Sequence, residues 1–300
     1  MRLRLFILLV ASLLLVACER GGDSSTIRAD GSSTVGPLIS AAAERFQRDN
    51  LDVRVTVGIS GTGGGFERFC RGETNISNAS RPIKDEEKQA CSKEGIEFVE
   101  LPIANDALTV VVNRQNDWVE CLTVEQLKRI WRPGSKVKSW KDIEPSFPDE
   151  QLTLYGPGTD SGTFDYFTDE INGEEGASRS NYSASEDDNV TVQGVGGAKG
   201  ALGYFGFSYF EENEGRVKAL AVDGGDGCVA PSVESAQSGE YKPLARPLFI
   251  YVKKESLPRP EVRRFAEYIL DNATEIAEAA RFVPATEEQL SKARSALEAA

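Results

Sequence analysis

Three turns rich in glycine, serine and threonine, each running straight into a stretch with helical character, constrain this chain more than any other feature. They are Gly31-Ser32-Ser33-Thr34-Val35-Gly36-Pro37, Ser60-Gly61-Thr62-Gly63-Gly64-Gly65 and Gly158-Thr159-Asp160-Ser161-Gly162-Thr163. A turn of this kind exposes backbone N–H groups at the positive end of a helix dipole and adds side-chain hydroxyls. That combination suits a tetrahedral oxyanion. Three such turns in one chain point to a single anion held by three helix ends.

The segments between the turns read as alternating strands and helices, hence α/β units around mostly parallel sheets. Ile27 to Ala29 leads as a strand into the first turn, and Val35, Leu38, Ile39, Ala42 and Phe46 then share one helical face. Val53, Val55 and Val57 alternate before the second turn, and Phe66 to Phe69 begins the next helix. Leu108 to Val112 reads as a buried strand, and Thr123-Val124-Glu125-Gln126 as a capping box whose helix stops by Pro133-Gly134. Leu152, Leu154 and Tyr155 precede the third turn, whose helix carries Phe164, Phe167 and Ile171. Ser178 to Asn189 reads as loop, Leu202 to Tyr209 as an aromatic, glycine-rich strand near a hinge, and Leu248 to Val252 as a strand. Val262, Phe265, Ala266, Ile269 and Leu270 mark an amphipathic helix, and a last helix covers roughly Glu287 to Glu298. Two of the turns lie in the first third and the other lies mid-chain, so a shared ligand implies a cleft between two domains.

At the N-terminus Arg2 and Arg4 precede an apolar run from Leu5 to Val16, too short for a permanent span, and Leu15-Val16-Ala17-Cys18 follows the lipobox pattern. A lipidated Cys18 and a polar tether to residue 26 are expected, which puts the chain outside the cytoplasm on a bacterial membrane. Without Arg2 and Arg4, 32 basic residues face 47 acidic ones, a net charge of −15. Such a surface argues against nucleic acid as partner. Any bound anion must be attracted by local amide dipoles, against the overall field.

Cys70, Cys91, Cys121 and Cys228 form an even set in an exported chain, so two disulfides are expected. Of the three pairings, Cys70 with Cys91 and Cys121 with Cys228 are favoured. No Cys-x-x-Cys occurs and histidine is absent altogether, which removes the commonest metal ligand and the usual base of serine and cysteine hydrolases. No metal, cofactor or catalytic residue is expected. Ser135-Lys136-Val137-Lys138 fits Ser-x-x-Lys, but it follows Pro133-Gly134 in a turn and no Lys-Thr-Gly comes after it. The aromatic group Tyr204, Phe205, Phe207, Tyr209 and Phe210 alternates with glycine and reads as packed strand rather than a sugar platform.

These motifs in their order resemble the PstS-type phosphate-binding proteins of phosphate ABC transporters, and within them the SphX-like branch. The resemblance runs from Ile27 to about Ala285. Its carriers include Gly31-Ser32-Ser33-Thr34, Asn78-Ala79-Ser80-Arg81-Pro82, Leu122-Thr123-Val124-Glu125-Gln126-Leu127 with Trp140-Lys141-Asp142-Ile143, Asp160-Ser161-Gly162-Thr163 and Gly200-Ala201-Leu202-Gly203-Tyr204. It implies a type II periplasmic-binding-protein fold: signal 1–17, tether 18–26, domain I from 27–112 plus 246–300, and domain II from 113–245. The implied partners are inorganic phosphate, ABC permease subunits and the membrane through the anchor, for a monomer without enzymatic activity. A lipoprotein that senses or scavenges phosphate, or that takes sulfate or arsenate, is the alternative.

Carried over by position, the resemblance assigns Thr34 a hydroxyl and Val35 an N–H contact to the anion. It assigns the same roles to Thr62 or Ser60 together with Gly63, and matches Ser161, Gly162 and Thr163 directly. Two charged positions depart from the family pattern: Pro157 replaces an arginine, and Arg81 replaces an aspartate that accepts the proton of hydrogen phosphate. Arg81 is therefore the expected cationic contact. Asp160, or the run Glu186-Asp187-Asp188, is the candidate proton acceptor.

Overall fold

The computed structural model describes residues 26–159, 161–185 and 187–300. The expected signal segment, Cys18 and nearly all of the tether lie outside them, as do Asp160 and Glu186. In chain order the elements are β1 (Thr26–Gly31), α1 (Gly36–Asp49), β2 (Arg54–Ile59), α2 (Gly61–Cys70), β3 (Ile76–Ala79), α3 (Asp85–Lys93), β4 (Phe98–Asn113), β5 (Cys121–Thr123), α4 (Val124–Trp131) and β6 (Thr153–Gly156). Next come α5 (Gly162–Phe167), β7 (Ser183–Ala184), α6 (Asp188–Gly197), β8 (Ala201–Gly206), α7 (Phe207–Asn213), β9 (Val217–Ala219), β10 (Ala221–Asp223) and β11 (Cys228–Val229). The chain closes with α8 (Val233–Ser238), β12 (Ala245–Lys253), α9 (Pro260–Asp271), α10 (Ala273–Ala279), β13 (Val283–Pro284) and α11 (Glu287–Glu298).

One sheet runs through the molecule in the order β2-β1-β3-β12-β4-β8-β6-β7. Its outer strands are parallel, β1 to β2 and β3 on one side, β6 to β8 and β7 on the other. The two long central strands break the expected parallel pattern, for β12 is antiparallel to both β3 and β4, and β4 is antiparallel to β8. β4 is continuous over 16 residues and changes partner along its length, pairing with β12 as far as Ala107 and with β8 from Leu108.

Two main hydrophobic cores follow from that change of partner. The first gathers Ile27, Leu38, Ile39, Phe46, Leu101, Ile250, Phe265 and Leu290 between the sheet and α1, α9, α10 and α11. The second gathers Leu108, Leu127, Trp131, Trp140, Phe167, Leu202 and Tyr204. In β4, Ala104 belongs to the first core and Leu108 to the second, while at the other strand Leu244 belongs to the second and Leu248 to the first. β4 and β12 are therefore the two connections between the lobes.

Local sequence explains several helix starts, those of α4, α5, α6, α8 and α11 being capped by a side chain. Thr123 accepts a hydrogen bond from the Gln126 amide at 3.1 Å, and the Gln126 side chain returns to the Thr123 N–H at 2.9 Å, closing the box that starts α4. Tyr204 stacks on Phe167 with centroids 3.8 Å apart, and Trp131 meets both edge-on, so Tyr204, Phe205 and Phe207 are core residues. Both expected disulfides are present. Cys70–Cys91 fastens the end of α2 to α3 with a Cα separation of 4.2 Å, and Cys121–Cys228 joins β5 to β11 at 6.1 Å.

Three elements depart from the expected limits. The glycine run of the second turn is itself helical, with α2 starting at Gly61 rather than near Phe66. The reason is proximity: a Cβ on Gly65 would lie 2.5 Å from the Gly31 Cα and 3.0 Å from the Asp30 carbonyl oxygen, so only glycine lets α2 lie this close to β1. The Ser178 to Asn189 stretch holds the short β7 and the start of α6. The aromatic strand ends at Gly206 and continues as α7.

Candidate anion-binding site

β1 ends on Gly31, whose φ of +142° and contact with the Asn78 backbone admit no side chain. The next residue, Ser32, is tied to β3 by its N–H to the Asn78 carbonyl at 2.9 Å. Its hydroxyl then accepts from the N–H groups of Thr34 and Val35 at 3.2 and 3.4 Å. This fixes the entry to α1 and leaves Ser33 and the Thr34 hydroxyl at the edge of a cleft between the lobes.

In the second turn Ser60 and Thr62 are placed differently. Ser60 donates its hydroxyl to the buried Asp30 at 2.7 Å, and Asp30 is also paired with Arg68. Ser60 thereby faces away from the cleft and anchors the start of α2. Thr62 instead shares a 3.0 Å hydrogen bond with the Ser80 hydroxyl and accepts the Ser80 N–H at 3.2 Å, which brings Thr62, Gly63 and Ser80 to the cleft wall. Arg81 follows immediately. Its guanidinium is held in a two-pronged pair with Glu87, at 2.9 and 2.8 Å, and that pairing raises its pKa further.

From the opposite lobe the third turn presents Gly162. Ser161 caps α5 by accepting the Thr163 N–H at 3.2 Å, so both of those residues satisfy the helix end rather than line the cleft. Gly162 comes so near the first turn that a Cβ there would sit 2.6 Å from Thr34 Oγ1 and 3.0 Å from Ser33 Oγ. α5 then continues as a wider π-helical turn, Thr168–Asn172, from which Asp169 and Glu170 face the same space.

A second guanidinium enters from β12. Arg246 donates from Nη2 to Thr34 Oγ1 at 3.1 Å, lies 3.4 Å from the ring centroid of Tyr166, and approaches Asp106 Oδ2 at 3.4 Å. Tyr166 is kept in place by donating its hydroxyl to the Pro243 carbonyl. Burial pushes the Asp106 carboxyl above its usual range, against the pull of Arg246. Glu170 is raised as well, by burial first and then by the neighbouring Asp169 charge.

The space in the cleft measures about 80 Å³. Pockets for organic ligands run to about 300 Å³ and more, so this one is scaled to a small ion. Hydroxyls from Ser33, Thr34, Thr62 and Ser80 and the helix ends at Gly63 and Gly162 converge on it.

A scan against family models matches residues 19–273 to the PBP superfamily domain. The protein SphX of Synechococcus elongatus is 50% identical over 92% of this chain and 82% of its own length. The chain belongs to the PstS and SphX group of the PBP superfamily. The phosphate-binding protein PstS of Staphylococcus saprophyticus is 40% identical, covering 96% of this chain and 91% of that one. A crystal structure of a possible phosphate binding protein from Planctomyces limnophilus superposes with a TM-score of 0.88 at 44% identity, covering 91% and 98% of the two chains. This PstS-type chain has the type II periplasmic-binding-protein fold and is a solute-binding protein, not an enzyme.

In this PstS-type frame, Thr34, Thr62, Gly63, Arg81 and Gly162 among the expected residues come together around the cavity. Val35 is buried with its N–H on Ser32, Ser60 is bonded to Asp30 and Ser161 to the Thr163 N–H, and these four residues are not part of the cavity lining. Asp187 is an exposed cap of α6, accepting the Asn189 N–H at 2.9 Å, and does not line the cavity. Sequence reasoning missed Ser80, Tyr166, Arg246 and the wall carboxylates Asp165, Asp169 and Glu170. Only Ser80 carried a signal, as part of the Asn78-Ala79-Ser80-Arg81-Pro82 motif.

Proposed function

We propose that this protein binds inorganic phosphate in the cleft between its lobes, outside the cytoplasm, and hands it to the permease of an ABC transporter. Lipidation at Cys18 would hold it at the membrane, and the two lobes, divided in β4 between Ala104 and Leu108 and at the start of β12 between Leu244 and Leu248, would close on the ion. The reading rests on one observation above others: turns from both lobes meet at a cavity sized for one small oxyanion, with Gly162 set against Thr34. The names of the PstS relatives point the same way.

Micromolar affinity requires about 8 kcal/mol net, which several charge-assisted hydrogen bonds supply at roughly 1.5–3 kcal/mol each. The carboxylates on the wall give a basis for selectivity. Asp169 or Asp165 can accept a hydrogen bond from the hydroxyl of hydrogen phosphate, whereas fully ionised sulfate meets the same carboxylate as like charge against like. This role passes to them from Asp187, which caps its helix elsewhere.

Titration calorimetry on the mature chain tests the proposal. Phosphate should bind at micromolar concentration or tighter and sulfate at least about tenfold more weakly, the cost of one lost charge-assisted hydrogen bond. Equal affinities would remove phosphate selectivity, and no heat with either anion would remove the function. Deletion of the gene should lower phosphate uptake if a permease is fed, and leave uptake unchanged if the protein only senses or scavenges.

A further inference from the structure

Of the two guanidinium groups at the cleft, one is spoken for. Arg81 is committed to Glu87 through both of its terminal nitrogens, at 2.9 and 2.8 Å, and Nη1 also donates to the Pro82 carbonyl at 3.2 Å. Arg246 is placed differently. Its approach to Asp106 is long, at 3.4 Å from both Nε and Nη2, and among the described residues Nη1 has no hydrogen-bond acceptor.

Its position in the fold matters as much as its charge. Arg246 sits at the start of β12, one of the two strands that connect the lobes, and Asp106 sits on β4, the other. The side chain donates to Thr34 of the first lobe and covers the ring of Tyr166 in the second. Moving the lobes apart would break one of those contacts. An anion in the cleft beside Thr34 and Gly162 would gain a positive charge that holds both lobes together.

We propose that Arg246 is the principal cationic ligand of the bound anion and the residue that couples binding to lobe closure. The inference rests on the phosphate reading above. It assigns Arg81 the lesser part, a screened charge at the rim, and it gives this chain the cation that Pro157 does not provide. Asp106 acts through Arg246, holding the guanidinium plane against the Tyr166 ring without touching the ligand.

The test is calorimetric titration of inorganic phosphate into the wild type, Arg246→Gln, Arg246→Lys and Arg81→Gln, with melting midpoints taken in the absence of phosphate. We expect Arg246→Gln to weaken phosphate binding by about 10- to 150-fold, the range for losing one hydrogen bond to a charged group. Arg246→Lys keeps the charge without the fork and should fall between it and wild type. Arg81→Gln should lose less than Arg246→Gln. The ligand-free midpoints of the Arg246 variants should stay within a few degrees of wild type, and the wild-type affinity should fall more steeply with added salt than that of Arg246→Gln. If wild type binds phosphate but Arg246→Gln binds equally well, or if Arg81→Gln is the more damaging change, the inference is wrong while the function stands. If Arg246→Lys binds no better than Arg246→Gln and both melt far below wild type, the residue is structural and the inference is again wrong. If wild type itself binds no phosphate, both readings fall.

Discussion

Thr34 and Gly162, from different lobes, approach so closely that the hydroxyl of one occupies the space a side chain on the other would need, 2.6 Å from the ideal Cβ position. The relationship makes the closed cleft sensitive to a single methyl group. Gly162→Ala should introduce about 1–3 kcal/mol of strain specific to the closed form. Phosphate affinity measured by calorimetry should drop by about tenfold or more, with the ligand-free melting midpoint little changed because each lobe keeps its own core.

The Thr34 hydroxyl joins Arg246 to the first helix entry. Thr34→Val keeps the shape and removes that hydroxyl, so phosphate binding should weaken by roughly tenfold, in line with one hydrogen bond to a charged group. A competition assay against labelled phosphate checks this, and an unchanged affinity would take Thr34 out of the site.

Gly65 carries the close packing of α2 on β1, with the Gly31 Cα 2.5 Å from where its Cβ would be. Gly65→Ala forces helix and strand apart and should cost about 1–3 kcal/mol in denaturant unfolding. It should also weaken phosphate binding, since Thr62 and Gly63 ride on the same helix.

Removing the Cys70–Cys91 bridge, which closes a loop of 21 residues, should lower unfolding free energy by about 3 kcal/mol in the chain-entropy account. Urea unfolding of the double serine variant against the oxidised wild type measures it directly.

Acidity should act on stability through the cleft carboxylates. Asp106 and Glu170 have folded pKa values above the ordinary carboxylate values of about 3.9 and 4.3, so between those values and the raised ones the folded state binds more protons than the unfolded state. These two groups therefore contribute stability that is present at low pH and is lost as pH rises through their folded pKa values. Asp142, Glu234 and Glu288 are held low and act in the opposite sense, their contribution being lost only as pH falls below the ordinary range. Melting of the ligand-free protein should thus improve as pH falls towards the ordinary carboxylate range, and Asp106→Asn should flatten that slope.

Much of this was legible because local rules leave local marks. Thr123 and Gln126 announce a helix start, the Val53 to Val57 alternation announces a strand, and the first and third turns are spelled out in contiguous residues. Arg246 left no such mark. It stands in Ala245-Arg246-Pro247, 212 residues from the Thr34 it touches, and only the fold of β12 against β4 brings them together. The same holds for Asp169 and Glu170, whose direction depends on a π-helical turn that periodicity does not encode. Asp187 misled for the opposite reason, since an acidic residue before a helix is most simply a cap. The glycine run of α2 read as a turn because glycine disfavours helix, and the packing against Gly31 that overrides this lies far away in sequence.

The central claim is that the helix entries of both lobes share one phosphate ion, and a crystal structure of the mature chain grown with phosphate tests it most directly. The account predicts one tetrahedral density between Thr34, Thr62 and Gly162, in contact with Arg246. Density for the anion elsewhere, or none in crystals soaked well above the calorimetric dissociation constant, would contradict it.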